Sequence, residues 1–364
     1  MRRARRAAWL ALLSVLILVT WSATASAATL QPPIATGLAG PLQLAVAPDG
    51  SVYVGQAFAG LLTQVGDPTP LAVVPDGEVA GVDVTPNGRL VYTSSQYDQD
   101  GVAAATNLSM VKQNGTTTEL ADLLALEQRR NPDAVNSYGF QDLTPECSAT
   151  LAELKASLPP DVAEQVPDPD PYTGIVDSHP YAVAALNDGR AVVADAAGND
   201  LVLVNGSGQP KVLTVLPPQP LTVPTGAAAG LGLPECVEGA TYNFEPVPTD
   251  VEVGPDGMLY VTTLPGGPEG PELGPRGSVY RVDPRSGAAT RIATGFLTAT
   301  NLAVAPDGTV YVAELYAGQV SKVVGGAPQP VVGVPLPAGL EYHGGKLFVS
   351  YDVFGNGSIA TIEL

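Results

Sequence analysis

The chain has 364 residues, with 17 basic and 36 acidic side chains, a net charge of −19, 40 glycines and two cysteines. Such acidity argues against nucleic acid as a partner, because phosphate contacts need a basic face, and against an anionic membrane surface. Two cysteines with no Cys or His nearby at ligand spacing argue against a zinc centre.

The chain opens with Arg2, Arg3, Arg5 and Arg6, then an apolar run from Ala7 to Trp21, then Ala25-Ser26-Ala27. That order predicts a secretory signal peptide over residues 1–27, cut after Ala27. The apolar run is shorter than the roughly 20 residues that span a bilayer. Removing those four arginines takes the net charge from −19 to −23. The expected location is extracellular, with no membrane attachment after cleavage. In an oxidising compartment a disulfide between Cys147 and Cys236 is expected.

Residues 28–364 read as one domain built on a repeated phrase. VAPDGSVYV begins at Val46, VGPDGMLYV at Val253 and VAPDGTVYV at Val304; looser copies begin at Val84, Leu186 and Glu341. Each is a short apolar strand, a glycine-containing tight turn and a second, alternating strand. Six such hairpins predict an all-β fold, a six-bladed β-propeller. The spacing from Gly50 to Gly88 and from Gly308 to Gly345 sets a bare blade of about forty residues. Wider spacings then mark blades carrying insertions.

The segment from Thr300 shows one blade whole: TNLAVAP innermost, then TVYVAEL, QVSKVVG and, outermost, PVVGVP. The C-terminal blade supplies only GLEY, KLFVSYD and SIATIEL. Residues 33–36 are therefore expected to complete it and close the ring, which removes an open sheet edge. In a four-stranded meander, insertions 125–178, 217–248 and 263–277 all rise from one face. The predicted disulfide would pin the first two into a small cap of helix and loop. Thr144 as N-cap, Pro145 at the first helical position and Leu151, Leu154 and Leu158 on one stripe predict a helix before Pro159-Pro160. A second short helix is expected from Pro160 towards Val166.

Three stretches carry a family likeness: SHPYAVAALNDGRAVVADAAGNDLVLV (178–204), VPTDVEVGPDGMLYVTTLPGGP (247–268) and ATGFLTATNLAVAPDGTVYVAEL (293–315). With DLLALEQRRNPD (122–133) and the opening IATGL, they resemble the ScyD/ScyE family of secreted propellers, which are similar in pattern to NHL-repeat proteins. Ala134 stands where that family usually has glycine, and the 263–277 loop lacks its aromatics. The resemblance implies the fold and export, and brings no agreed reaction with it.

Propeller ligands usually meet the residues at second-strand ends and innermost-strand starts, around the channel mouth. Those positions give the ligand-binding candidates Gln56, Ser95, His179, Asp195, Asp250, Glu314 and Asp352, with Gln43, Thr263, Asn301 and Glu341 beside them. Asp195, Asp250 and Glu314 are the metal candidates, and a hard cation such as Ca²⁺, which takes several oxygens, is the cofactor they would suit. The structural counter-reading is that Asp195, in Ala-Asp-Ala-Ala-Gly-Asn-Asp, merely orders a turn. Of two histidines, His343 falls on the opposite face, so any imidazole chemistry rests on His179. No nucleophile elbow, phosphate loop or dinucleotide fingerprint occurs, and no catalytic residue is assigned. The leading expectation is a secreted binding or scaffold module that offers its capped face to a small molecule, polymer or protein. The alternative is a metal-dependent hydrolase or lyase at the channel mouth, using Asp195, Asp250 and Glu314 with His179.

Overall fold

A computed structural model describes residues 28–112, 115–270 and 272–364. The signal-peptide reading of residues 1–27 lies outside these. Among the described residues there are seven sheets. Five are consecutive four-stranded meanders, beginning at the innermost strands Pro41–Val46, Gly77–Val84, Pro180–Ala185, Pro248–Val253 and Ala299–Val304. A sixth joins Leu340–His343, Lys346–Tyr351 and Gly357–Glu363 to the start of the chain. There Ala35 pairs with Ile359 and Leu38 with Gly357, and Thr29 pairs with Glu363 further along the same strand. Residues 29–38 and the last three strands thus share one sheet, as the incomplete C-terminal repeat required.

The repeated turn owes its shape to two residues. Gly308 takes φ 86°, which other residues rarely adopt, and Asp307 Oδ1 accepts the Thr309 N–H at 2.9 Å. Gly50 and Asp49 do the same in the first sheet.

Period-two alternation then sends neighbouring side chains into different interfaces. Leu44 packs with Phe348 and Ile359 of the sixth sheet, whereas Ala45 packs with Val79 and Val82 of the second. Val193 faces the second sheet and Val192 the fourth. Leu302 faces the fourth and Ala303 the sixth. Each sheet therefore buries both faces against neighbours, and the sixth meets the first. The result is a propeller-type arrangement of radially packed antiparallel sheets.

The seventh sheet lies in the insertions and corrects the expectation of a cap made only of helix and loop. Its strands run Tyr172–Thr173, Ser137–Phe140, Thr241–Phe244 and Gln219–Thr222 in spatial order. The two central strands come from different insertions, Gly139 pairing with Asn243 and Phe140 with Tyr242. Four-residue strands are too short to show alternation, and their pairing is long-range. The expected helix spans Pro145–Ser157, with Thr144 Oγ1 accepting the Cys147 N–H at 3.2 Å. It buries Cys147 and Leu151 against Phe140, Val223, Ala227 and Val237. Pro160–Ala163 forms the second helix. Cys147 and Cys236 are joined, closing the cap across 89 positions of sequence. Among the described residues no helix is long and apolar enough to cross a membrane.

Candidate functional site

The residues expected to ring the channel mouth turn out to be largely committed to holding the sheets together. Gln56, Asp195 and Glu314 occupy the same register position, each opposite the first residue of its sheet's innermost strand (Pro41, Pro180 and Ala299). Each accepts a backbone N–H from the segment entering that strand. Gln56 Oε1 takes Ala39 N–H at 2.9 Å, Asp195 Oδ1 takes His179 N–H at 2.6 Å, and Glu314 Oε2 takes Leu297 N–H at 2.8 Å. The remaining oxygens are also engaged: Asp195 Oδ2 with Ser178 Oγ, and Glu314 Oε1 with Gln319 Nε2 and Ser321 Oγ. Side-chain acceptors at this position replace the ladder bonds that a bulge next to the strand start has broken. Ser95 is buried opposite Glu78, and Asp352 lies after its strand, accepting the Asn356 N–H at 3.1 Å. No group of three His, Cys, Asp or Glu side chains among the described residues stands ready to hold a metal.

Gln43, Asp250 and Asn301 tie innermost strands to one another. Gln43 Nε2 donates to Thr249 O at 3.0 Å, Asn301 Nδ2 donates to Gln43 Oε1, and Asp250 Oδ2 accepts the Leu302 N–H at 2.9 Å. Further along the innermost strands lie Asp83, Glu252 and Glu341. Burial pushes Asp83 up to about 6 and Asp250 up to about 8. It raises Glu252 and Glu341 as well, and the charges of these neighbours add to both shifts. All the charges acting on these four are acidic. A carboxyl whose folded pKa exceeds its unfolded value of about 4 makes the folded state hold more protons, so stability falls as pH rises through the folded pKa. The unfolding temperature is therefore expected to drop between pH 5 and pH 8.5, and Asp83→Asn should make that drop shallower. A variant slope equal to the wild-type slope would show that these acids do not set it.

His179 bridges the third sheet to the second. Its Nε2 lies 2.9 Å from Glu78 Oε2, and its ring stands edge-on to Tyr97 and Tyr181. Burial works against the charged imidazole, but the hydrogen bond and charge of Glu78 outweigh it and the pKa is raised. Glu78 thus pairs with the His179 ring and positions it.

A cleft of about 300 Å³ lies between the cap sheet, its helices and the 263–277 loop. Phe140, Tyr172, Tyr242 and Phe244 wall it, with Val166, Val223, Leu231, Leu233 and Leu273. Tyr242 sits 4.9 Å from Phe140, edge to face, and 4.5 Å from Phe244. Arg276 caps the Phe244 ring at 4.2 Å and donates to Gly266 O and Pro268 O, which fixes the third insertion against the cap sheet. Tyr172 donates its hydroxyl to Glu245 Oε1 at 2.9 Å; burial and that carboxylate raise its pKa. Lys155 and Asp168, 2.6 Å apart, stand at the rim. None of the aromatic residues that wall the cleft was marked in advance. The aromatic content of Ser137–Phe140 and Thr241–Phe244 was the available signal, but only the cross-insertion pairing makes it a wall.

No protein-family profile matches this chain, and no curated protein matches it. Solved structures do. A glucose dehydrogenase shares 11% identity over 92% of this chain and 99% of its own, with a TM-score of 0.51. A gluconolactonase-like protein shares 12% identity over 93% and 92%, also with a TM-score of 0.51. The PQQ-bound aldose sugar dehydrogenase of Streptomyces coelicolor shares 14% over 92% and 97%, with a TM-score of 0.50. Likeness at that identity speaks to the backbone alone, and what it establishes is that this chain has a β-propeller fold.

Proposed function

We propose that this chain is an exported, six-bladed propeller of the ScyD/ScyE type that binds a ligand in the aromatic cleft of its capped face. One observation carries the reading: all three insertions contribute to that single cleft. Phe140 and Tyr172 come from the first, Leu231, Tyr242 and Phe244 from the second, and Gly267 and Leu273 from the third. Long insertions that converge on an ordered, apolar, polar-rimmed cleft are what a binding site requires. The walls suit a flat ligand with an apolar face, and Lys155, Asp168 and Glu245 offer polar partners at its edges. A small molecule or one segment of a polymer has that chemistry. Export is supported by the charge and hydropathy order of residues 1–27 and by the disulfide. The reading as a metal-dependent hydrolase or lyase gains little support, because Asp195 and Glu314 spend their oxygens on backbone and side-chain donors.

The test is calorimetric titration of residues 28–364 with aryl β-glucosides and with 1-anilinonaphthalene-8-sulfonate. Saturable binding is expected, weakened about tenfold, or about 1.4 kcal/mol, by Tyr242→Ala. Asp307→Ala, on the turn of a repeat hairpin, should leave it unchanged. No saturable binding of any probe, or wild-type affinity in both Tyr242→Ala and Phe244→Ala, would remove the cleft as the site.

A further inference from the structure

Where the first insertion leaves the second sheet and meets the third, acidic side chains are packed together, with His179 beside Asp195 as a basic neighbour. The helix Leu124–Arg130 carries Glu127, Asn131 ends it, and the following turn Pro132–Val135 carries Asp133. Asp200 begins a strand of the third sheet directly opposite Asp195. Glu127, Asp133 and Asp200 are only 4%, 1% and 1% exposed. The charges acting on Glu127 are those of Asp195, Asp133 and Asp177; those on Asp200 are Asp195, Glu127 and Asp133. Burial and these neighbours push Glu127 up to about 8. The built Cβ position on Gly198 lies 3.4 Å from Asp195 Cγ and 3.5 Å from Glu127 Oε2, so both carboxyls crowd one glycine.

Two of these side chains are oriented through one atom and have an oxygen without a hydrogen-bond donor among the described residues, that of Asp133 lying against Gly174. Asp133 Oδ2 accepts from Asn199 Nδ2 at 2.8 Å, and its Oδ1 has no partner. Asn131 Nδ2 donates to Gly174 O at 3.0 Å, and its Oδ1 has none. Glu127 Oε1 and Asp200 Oδ2 are likewise unpartnered. Four buried oxygens, every one an acceptor, share this neighbourhood, and a buried acceptor left unmet costs about 1–3 kcal/mol, more when charged. The fold itself does not ask for an acid at position 200. At the equivalent place in the fifth sheet, Gln319 faces Glu314 and donates its amide to that carboxylate.

We propose that a divalent cation of the Ca²⁺ type binds here through Glu127, Asn131, Asp133 and Asp200. A donor set of carboxylate and amide oxygens is the set Ca²⁺ prefers, and it tolerates irregular geometry. Among the described residues no three His, Cys, Asp or Glu side chains are already arranged to hold a metal, so binding requires these side chains to turn toward the ion, with the Asn131 amide as part of its shell. Its role is to fasten the base of the first insertion to the third sheet. Nothing in this depends on what the aromatic cleft binds.

The sequence has two tryptophans, Trp9 and Trp21, both within residues 1–27. Tyr138 donates its hydroxyl to Asp133 Oδ2 at 3.4 Å, so it can sensitise Tb³⁺ luminescence at this site without tryptophan background. Residues 28–364, stripped with EDTA, should bind one Tb³⁺ per chain, displaced by Ca²⁺. At a hundredfold excess over Kd, Ca²⁺ should raise the unfolding temperature by about 4 °C. Asp200→Asn and Glu127→Gln should each weaken Ca²⁺ at least tenfold, while their unfolding temperatures in EDTA stay level or rise, because each removes one of the crowded charges. The proposal is overturned by no saturable Tb³⁺ or Ca²⁺ effect, by undiminished affinity in both variants, or by several ions per chain displaced by 150 mM KCl.

Discussion

Replacing Cys147 and Cys236 together with alanine is expected to release the cap while leaving the ring of sheets folded. The bridge closes a loop of 89 positions, and for a loop of that size chain entropy gives about 4–5 kcal/mol, less any strain in the native bond. That loss falls on a small substructure. The cap's own core is the cluster around Phe140, Leu151, Val223 and Val237, and its central strand pair is only two residues deep in register. The rest of the molecule has six further apolar interfaces between sheets. Unfolding of the variant should therefore lose two-state behaviour, with an early cap transition. Limited proteolysis should cut first between residues 141 and 171. A single transition at the wild-type temperature, with no early cleavage, would mean that the sheet and helix contacts suffice without the bond. In the same variant, probe binding in the aromatic cleft should fall with the cap, since both lining strands lose their anchor.

Glu314→Ala is expected to be the costliest single change among the residues that a ligand-centred reading would have chosen. Glu314 is 2% exposed and receives Leu297 N–H, Gln319 Nε2–H and Ser321 O–H. Truncation leaves the buried Ser321 hydroxyl and the half-buried Leu297 N–H and Gln319 amide without this acceptor; hydrogen bonds to a charged acceptor contribute about 1.5–3 kcal/mol each, so a net loss of about 3–4 kcal/mol is expected after rehydration of the half-buried donors. Glu314→Gln keeps an acceptor for Leu297 and should cost about half as much. Equilibrium denaturation with an unchanged m-value would measure both. A loss below about 1 kcal/mol for alanine would return Glu314 to the list of residues free for ligand or metal.

The same residues show where reading a linear sequence stops. The PDG hairpins, the incomplete last repeat and the Thr144–Pro145 helix start were all legible, because each rests on contacts within a few residues. Gly308 needs positive φ whatever surrounds it, and Thr144 caps a helix that follows it directly. The missing fourth strand of the last repeat was also legible: a sheet edge that must be covered calls for a strand, and the opening residues had its pattern. Gln56, Asp195 and Glu314 were correctly located at strand ends, yet their work was misjudged. Whether a carboxylate at such an end meets solvent, an ion or a backbone N–H depends on the bulge beside it and the segment entering the next strand. The cap sheet, the aromatic cleft and the unpartnered oxygens of Glu127, Asp133 and Asp200 lay further out of reach. Each is assembled from segments tens of residues apart, with strands too short to carry periodicity. Local sequence determined the repeating element and the places where it is interrupted, because hairpin geometry is paid for locally; which insertions meet, and what chemistry they enclose, was decided only by packing between sheets.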